Sequence, residues 1–157
     1  MNTDEPSPEN RYLCDHADLI LTSFLRITGK SLIDAEPGQD SGSAVYEAGF
    51  CVLSHDTAPD PVFNYGNRAA QELFEMSWEQ LIGLPSRLSA EAPLREERQR
   101  LLKNVAEKGY IDDYKGIRIS SSGQRFMVEK AIIWNLIDDD GMNHGQAAVL
   151  YEWSALT

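Results

Sequence analysis

Residues 62–85 read VFNYGNRAAQELFEMSWEQLIGLP, and the order of signals in them decides how the rest of the chain is arranged. Val62 to Tyr65 is a short run of β-branched and aromatic residues, the composition of a strand. Gly66 and Asn67 make a turn, with the Asn67 side chain placed to cap a helix from Arg68 to Phe74. Ser77-Trp78-Glu79-Gln80 is a capping box, in which the Ser77 hydroxyl and the Gln80 amide satisfy each other's exposed backbone donors. Gly83 ends this second short helix and Pro85 prevents its return.

Working outward, 157 residues suit one domain with a short extension, large enough to fold without disulfides or a structural metal. A formal net charge of -11 argues against non-specific attraction to nucleic acid or anionic lipid. The expectation is a cytoplasmic protein that meets small ligands or protein partners, with no nucleic acid and no membrane among them. Cys14 and Cys51 lie far apart with no metal-ligand spacing, and Cys51 falls in an apolar run that reads as core. The start, MNTDEPSPENRY, has neither a basic region nor an apolar one, so no signal peptide is expected. No apolar run approaches a membrane span.

The chain divides into 1–8, a disordered start; 9–34, an N-terminal helical extension; 35–43, a linker; and 44–157, the main domain. From Glu9 to Thr28, Leu13, Ala17, Ile20, Leu21, Phe24 and Leu25 recur with the spacing of one helical stripe, and Gly29 is placed to cap it. AEPGQDSGS, residues 35–43, is the clearest linker. Val45 to Ser54 becomes continuously apolar at Phe50 to Leu53, as a central strand does, and HDTAPDP follows as a turn. Pro93 opens a longer helix with the apolar face Leu94, Leu101, Leu102 and Val105, closed by Gly109. Three strands are expected beyond it: Ile111 to Ser120, Arg125 to Ile137 and Gln146 to Trp153, joined through SSSG and DDDGMNHG turns. The fold class is α+β, with helices gathered on one face of an antiparallel sheet and an additional N-terminal helix.

Two blocks carry a more specific resemblance. FNYGNRAAQELFEMSWEQLIGLPSRLSAEAPLREERQRLL, residues 63–102, followed by KGYIDDYKGIRISSSGQRFMVEKAIIWNLIDDDG, residues 108–141, resembles the MEKHLA family. That family is PAS-related and occurs as small bacterial proteins and as the C-terminal region of plant homeodomain–leucine zipper regulators. The resemblance runs from about the first helix to Trp153. It implies a PAS-like sensory or regulatory fold and supplies no known ligand. The chain shows no homeodomain, no zipper heptads and no basic DNA-binding region, so the transcriptional role of the plant relatives is not carried over.

A PAS-like domain binds its ligand between the inner face of its sheet and its short helices. The candidate lining is Phe50 and Val52 on the first strand, Phe74, Trp78 and Leu81 on the helices, and Val128, Ile132 and Trp134 on the long strand. Each alone also reads as ordinary core; together they have the aromatic walls of a small-molecule cavity. Strict alternation along the long strand puts Val128, Lys130, Ile132 and Trp134 on one face. Lys130 inside would neutralise an anionic ligand, or pair with an acid such as Glu129 after a bulge; at the rim its stem would only cover apolar surface. Arg118 on the preceding strand has the same two readings.

Several chemistries are argued down. The flavin photosensors of the related LOV type need a cysteine in the turn after the short helices, where this chain reads LPSRLSAEAP. Haem-binding PAS domains commonly use a histidine on the long helix, and LREERQRLLKNVAEKG has none. His16, His55 and His144 share no motif and read as surface residues, and DDDG reads as a solvated hairpin rather than a cation site. No nucleophile elbow, phosphate loop or zinc-protease motif is present. The expectation is therefore a non-enzymatic sensory or regulatory module. It would bind a small apolar or aromatic ligand, a protein partner, or a second copy through its N-terminal helix, and the cofactor is unknown. The rivals are a small cavity enzyme using Lys130, Glu129 or Arg118, and a ligand-free interaction scaffold.

Overall fold

A computed structural model describes residues 4–34, 40–90 and 92–156. Its centre is an antiparallel sheet of β1 (Cys51–His55), β2 (Phe63–Gly66), β3 (Tyr110–Ile119), β4 (Arg125–Ile137), β5 (Asn143–Leu150) and β6 (Glu152–Ala155). The spatial order is β2-β1-β5-β4-β3, with β6 paired to β4 beyond the end of β5. The last expected strand thus divides in two at Tyr151, because β4 changes partner: Ile132 faces Val149 of β5, whereas Glu129 faces Glu152 of β6.

Helices cover both faces of this sheet. α1 (Cys14–Thr28) lies on one face with Ala17, Ile20 and Phe24 buried. There the Trp134 ring meets Phe24 edge-on at 4.8 Å, and its indole N–H donates to Ser23 Oγ at 3.0 Å. The apolar stripe expected to offer a dimer contact is spent largely on the sheet, with Leu25 left exposed. Gly29 caps the helix as expected, donating to the Leu25 carbonyl. The opposite face carries α3 (Arg68–Phe74) and α5 (Ala92–Lys108), while α4 (Trp78–Leu81) sits against the edge strand β2.

The signals of the 62–85 stretch are realised in detail. Asn67 Oδ1 accepts from Ala70 N at 3.1 Å, capping α3. Ser77 Oγ accepts from Gln80 N at 3.2 Å while Gln80 Oε1 accepts from Ser77 N at 2.9 Å. Gly66 belongs to β2 rather than to the turn, and a Cβ there would lie 2.2 Å from Leu81 Cδ2. Its bare backbone lets α4 settle on the strand.

Three local expectations differ from what is seen. The first helix starts at Cys14, not Glu9: Pro8–Leu13 forms a 3-10 turn in which Arg11, Tyr12 and Leu13 hold φ of 55°, 54° and 52°. Within 1–8, residues 4–8 are placed, with Pro6 buried and the Glu5 carboxylate accepting from the Tyr46 hydroxyl. Val45 and Tyr46 are helical, in α2 (Ser41–Tyr46), because Asp40 Oδ1 accepts from Gly42 N at 2.8 Å and starts a helix where the sequence suggested a strand. Residues 35–39 of the expected linker lie outside the described residues.

Candidate functional site

A cavity of about 60 Å³ lies between the sheet and the layer formed by α3, the 3-10 turn Ser86–Ser89 and α5. Its walls are mostly apolar: Leu53 of β1, Phe63 of β2, Phe74 of α3, Leu102 of α5, and Val128, Ile133 and Leu150 of the sheet. Set among them are His55, Ser89, Tyr114, Arg118 and Gln146.

The polar groups are held by specific contacts. His55 Nδ1 lies 2.7 Å from Ser86 Oγ, and Ser89 Oγ donates to Ser86 O at 2.8 Å, which ties β1 to the 3-10 turn. Gln146 Nε2 donates to Leu102 O of α5 at 2.9 Å and to Asn135 Oδ1 at 3.2 Å. Those two bonds fix the amide, leaving Gln146 Oε1 buried without a partner. Tyr114, Gly116 and Arg118 follow one another on the cavity face of β3. A Cβ on Gly116 would come within 2.1 Å of the Tyr114 hydroxyl, so glycine makes room for that ring. The ring in turn carries the Arg118 guanidinium, 5.1 Å from its centroid. Arg118 Nη1 also donates to Ile117 O at 3.2 Å, and among the described residues no carboxylate ion-pairs with it. Part of its surface stays accessible at the cavity wall, yet burial of the head pulls its pKa below the ordinary arginine value, with Tyr114 opposing.

Of the residues expected to line a site, Phe74, Arg118 and Val128 do so. Leu81 packs in the same apolar cluster, over Gly66, without reaching the cavity. Val52, Trp78, Ile132 and Trp134 belong to the cluster under α1, on the opposite face, and Phe50 packs at its margin against Tyr151 at 4.8 Å. Lys130 is 78% exposed and lies 3.8 Å from Glu152, while Glu129 lies 3.3 Å from Lys115. For the β4 residues Lys130, Ile132 and Trp134 the cause is a bulge: from Val128 to Ala131 β4 runs three residues while β3 runs two, from Gly116 to Tyr114. Lys130 takes φ of 55° at this step. The cavity face is therefore Phe126, Val128, Ala131 and Ile133, and strict alternation fails halfway along the strand.

Histidine is placed differently from expectation at two of three positions. His55 is buried at the end of β1, not in the turn after it. His16 packs on the sheet, its ring 5.3 Å from Tyr65 and its Nε2 2.9 Å from Ser54 Oγ, which donates to Asn64 Oδ1. Burial, with a smaller contribution from His144, pulls its pKa down to about 4. His144 is exposed and paired to Asp138 at 2.8 Å, in a hairpin where Asp138 also accepts from Asp140 N and Met142 N. Leu53, His55, Tyr114, Ile133 and Gln146 are among the lining residues that sequence reasoning missed, as are Phe63, Ser89, Leu102 and Leu150. Only Tyr114-Lys115-Gly116-Ile117-Arg118 carried a readable signal, an aromatic and a cation spaced around a glycine on one strand face.

The sheet order, the helices α3 and α4 after β2 and the cavity beneath α3 and α5 define a PAS-type fold. A PAS domain from Colwellia psychrerythraea superposes with a TM-score of 0.61 at 14% identity, covering 70% of this chain and 91% of that one. A fungal LOV-domain photoreceptor superposes at 0.56 and 17% identity, covering 87% and 91%. The family model of the MEKHLA domain matches residues 14–155, and the chain belongs to that family. Curated relatives include Homeobox-leucine zipper protein ATHB-9 of Arabidopsis thaliana, 26% identical over 145 residues, and HOX32 of Oryza sativa subsp. japonica, 26% identical over 154 residues. The match covers 86% and 94% of this chain respectively, and 17% of the length of either relative. Among the described residues no helix is long and apolar enough to cross a membrane, and no group of side chains is arranged to hold a metal ion.

Proposed function

We propose that this chain is a non-enzymatic sensory or regulatory module that takes a small ligand in the cavity between its sheet and α3 and α5. The observation that carries the reading is the cavity itself, apolar over most of its wall and fitted with a few fixed polar groups. Occupancy would act by shifting α3, α5 or the 3-10 turn against the sheet, since each supplies cavity wall or a bond to it.

The solved neighbours include proteins described as light-oxygen-voltage domains, one of them with a flavin analogue. A cavity of about 60 Å³ is far below the 300–1,000 Å³ typical of sites for larger ligands and does not fit a flavin ring system. Cys51 is no candidate for an adduct: it is buried on β1 and its thiol is pushed up to about 12 by burial, with Glu72 adding to it. The relatives are named as homeobox-leucine zipper proteins, and a net charge of -11 argues against a DNA-binding role for this chain. A protein partner is a second reading, favoured by the exposed rings of Tyr151 and Trp153 beside Phe50 and Leu73.

Native mass spectrometry and a visible absorption spectrum of protein purified without denaturation test the leading reading, together with a thermal-shift screen of small compounds. A bound mass, or a compound that raises the melting temperature and perturbs Phe74 and Val128 by NMR, is the expected result. A cavity that admits no compound in any of these measurements sinks it.

A further inference from the structure

We infer that the ligand of this cavity is a small monocarboxylate with a short apolar tail, its carboxylate seated on the Arg118 guanidinium. The inference rests on the ligand-binding reading above and specifies its chemistry.

Arg118 is aimed and left incomplete. Tyr114 supports the flat face of the guanidinium, Gly116 makes that support possible, and the Ile117 carbonyl takes one of its five N–H donors. A cation held in an apolar wall without an acidic partner is unfavourable. The nearby acids do not serve: Glu129 lies against Lys115, and Asp112 and Asp113 are exposed on β3. A guanidinium stays charged through the physiological range even where burial depresses its pKa. A carboxylate supplies the missing charge, and its two oxygens match the fork of donors.

The rest of the cavity sets the remainder of the molecule. Val128 lies across from Gly116 on the neighbouring strand, and Phe74 stacks edge-on with Phe126, which pairs with Arg118. The tail leaving the carboxylate therefore runs along hydrocarbon, and about 60 Å³ limits its length. A phosphate is a poorer fit, since one guanidinium and apolar neighbours leave most of its charge uncompensated. Gln146 Oε1, buried and unpartnered, offers an acceptor for one hydroxyl or N–H on the tail.

The test uses the intact chain near neutral pH with propionate and butyrate, their uncharged counterparts propionamide and butyramide, and inorganic phosphate. Calorimetry or NMR titration should show each acid binding at least about tenfold more tightly than its amide, the loss expected when a charge-assisted contact is removed. The Arg118 guanidinium resonances should shift with the acids and not with the amides. Arg118→Met should bind acid and amide alike; if that variant does not fold, the wild-type guanidinium shifts decide. Amides that bind as well as the acids, or phosphate that displaces the acids at similar concentration, overturn the inference while leaving a ligand cavity in place. If neither acids nor amides bind, the inference falls, while the ligand-binding reading is decided separately by the native mass spectrum and the compound screen.

Discussion

Asn67 is a buried side chain whose bonds are all made. Its Oδ1 accepts from Val52 N and Ala70 N, and its Nδ2 donates to the carbonyls of Val45 and Phe50. One amide thus caps α3, holds the start of β1 and closes the end of α2. Alanine there removes a cap and strands several buried backbone groups, so Asn67→Ala should cost about 3 kcal/mol in chemical denaturation. An unchanged denaturation midpoint would contradict this reading. His16 makes a pH-dependent contribution. Its folded pKa is about 4 against an ordinary 6.5, so between those values the unfolded chain binds a proton that the folded chain does not. The contribution is complete above pH 6.5 and is lost as pH falls toward 4. Its size is on the order of 3 kcal/mol. His16→Gln should flatten the fall in stability across that window relative to the wild type, as measured by urea titrations at several pH values.

At the level of elements, the short-range signals were legible and the long-range ones were not. The caps at Asn67, Ser77 and Gly29 depend on atoms a few residues apart, and the structure forms all three where the sequence placed them. Bulges depend on a partner strand. The extra residue at Lys130 shows only when β4 is laid against β3, and a second register shift at Ser54/His55 sends Phe63 and Tyr65 to opposite faces. Alternation cannot reveal either, which is why Ile132, Trp134 and Lys130 were expected in the cavity and are found elsewhere. Because Lys130 is 78% exposed at positive φ, Lys130→Asn should leave ligand binding unchanged and keep stability within about 0.5 kcal/mol of the wild type or raise it. Loss of binding in that variant would restore the lysine to the site.

For the molecule as a whole, the decisive feature is that both faces of the sheet are covered. Trp134, Leu136 and Val149 are fully buried, and they share an apolar cluster with Ala17, Ile20 and Phe24 of α1. Removing residues 1–28 would bare that face, so the shortened chain should lose its cooperative thermal transition and bind a hydrophobic dye. A sharp transition by calorimetry in the shortened chain would instead show that the 9–34 segment is a separable extension. By itself the sequence determined the α+β class, the family and most helix caps, since each is written in neighbouring residues and in unbroken motifs. The partner of each strand, the face each side chain takes after a bulge, the division of β5 from β6 and the isolation of Arg118 were decided by tertiary structure. Those depend on backbone register and on which charges end up close together, and neither has a counterpart along the chain.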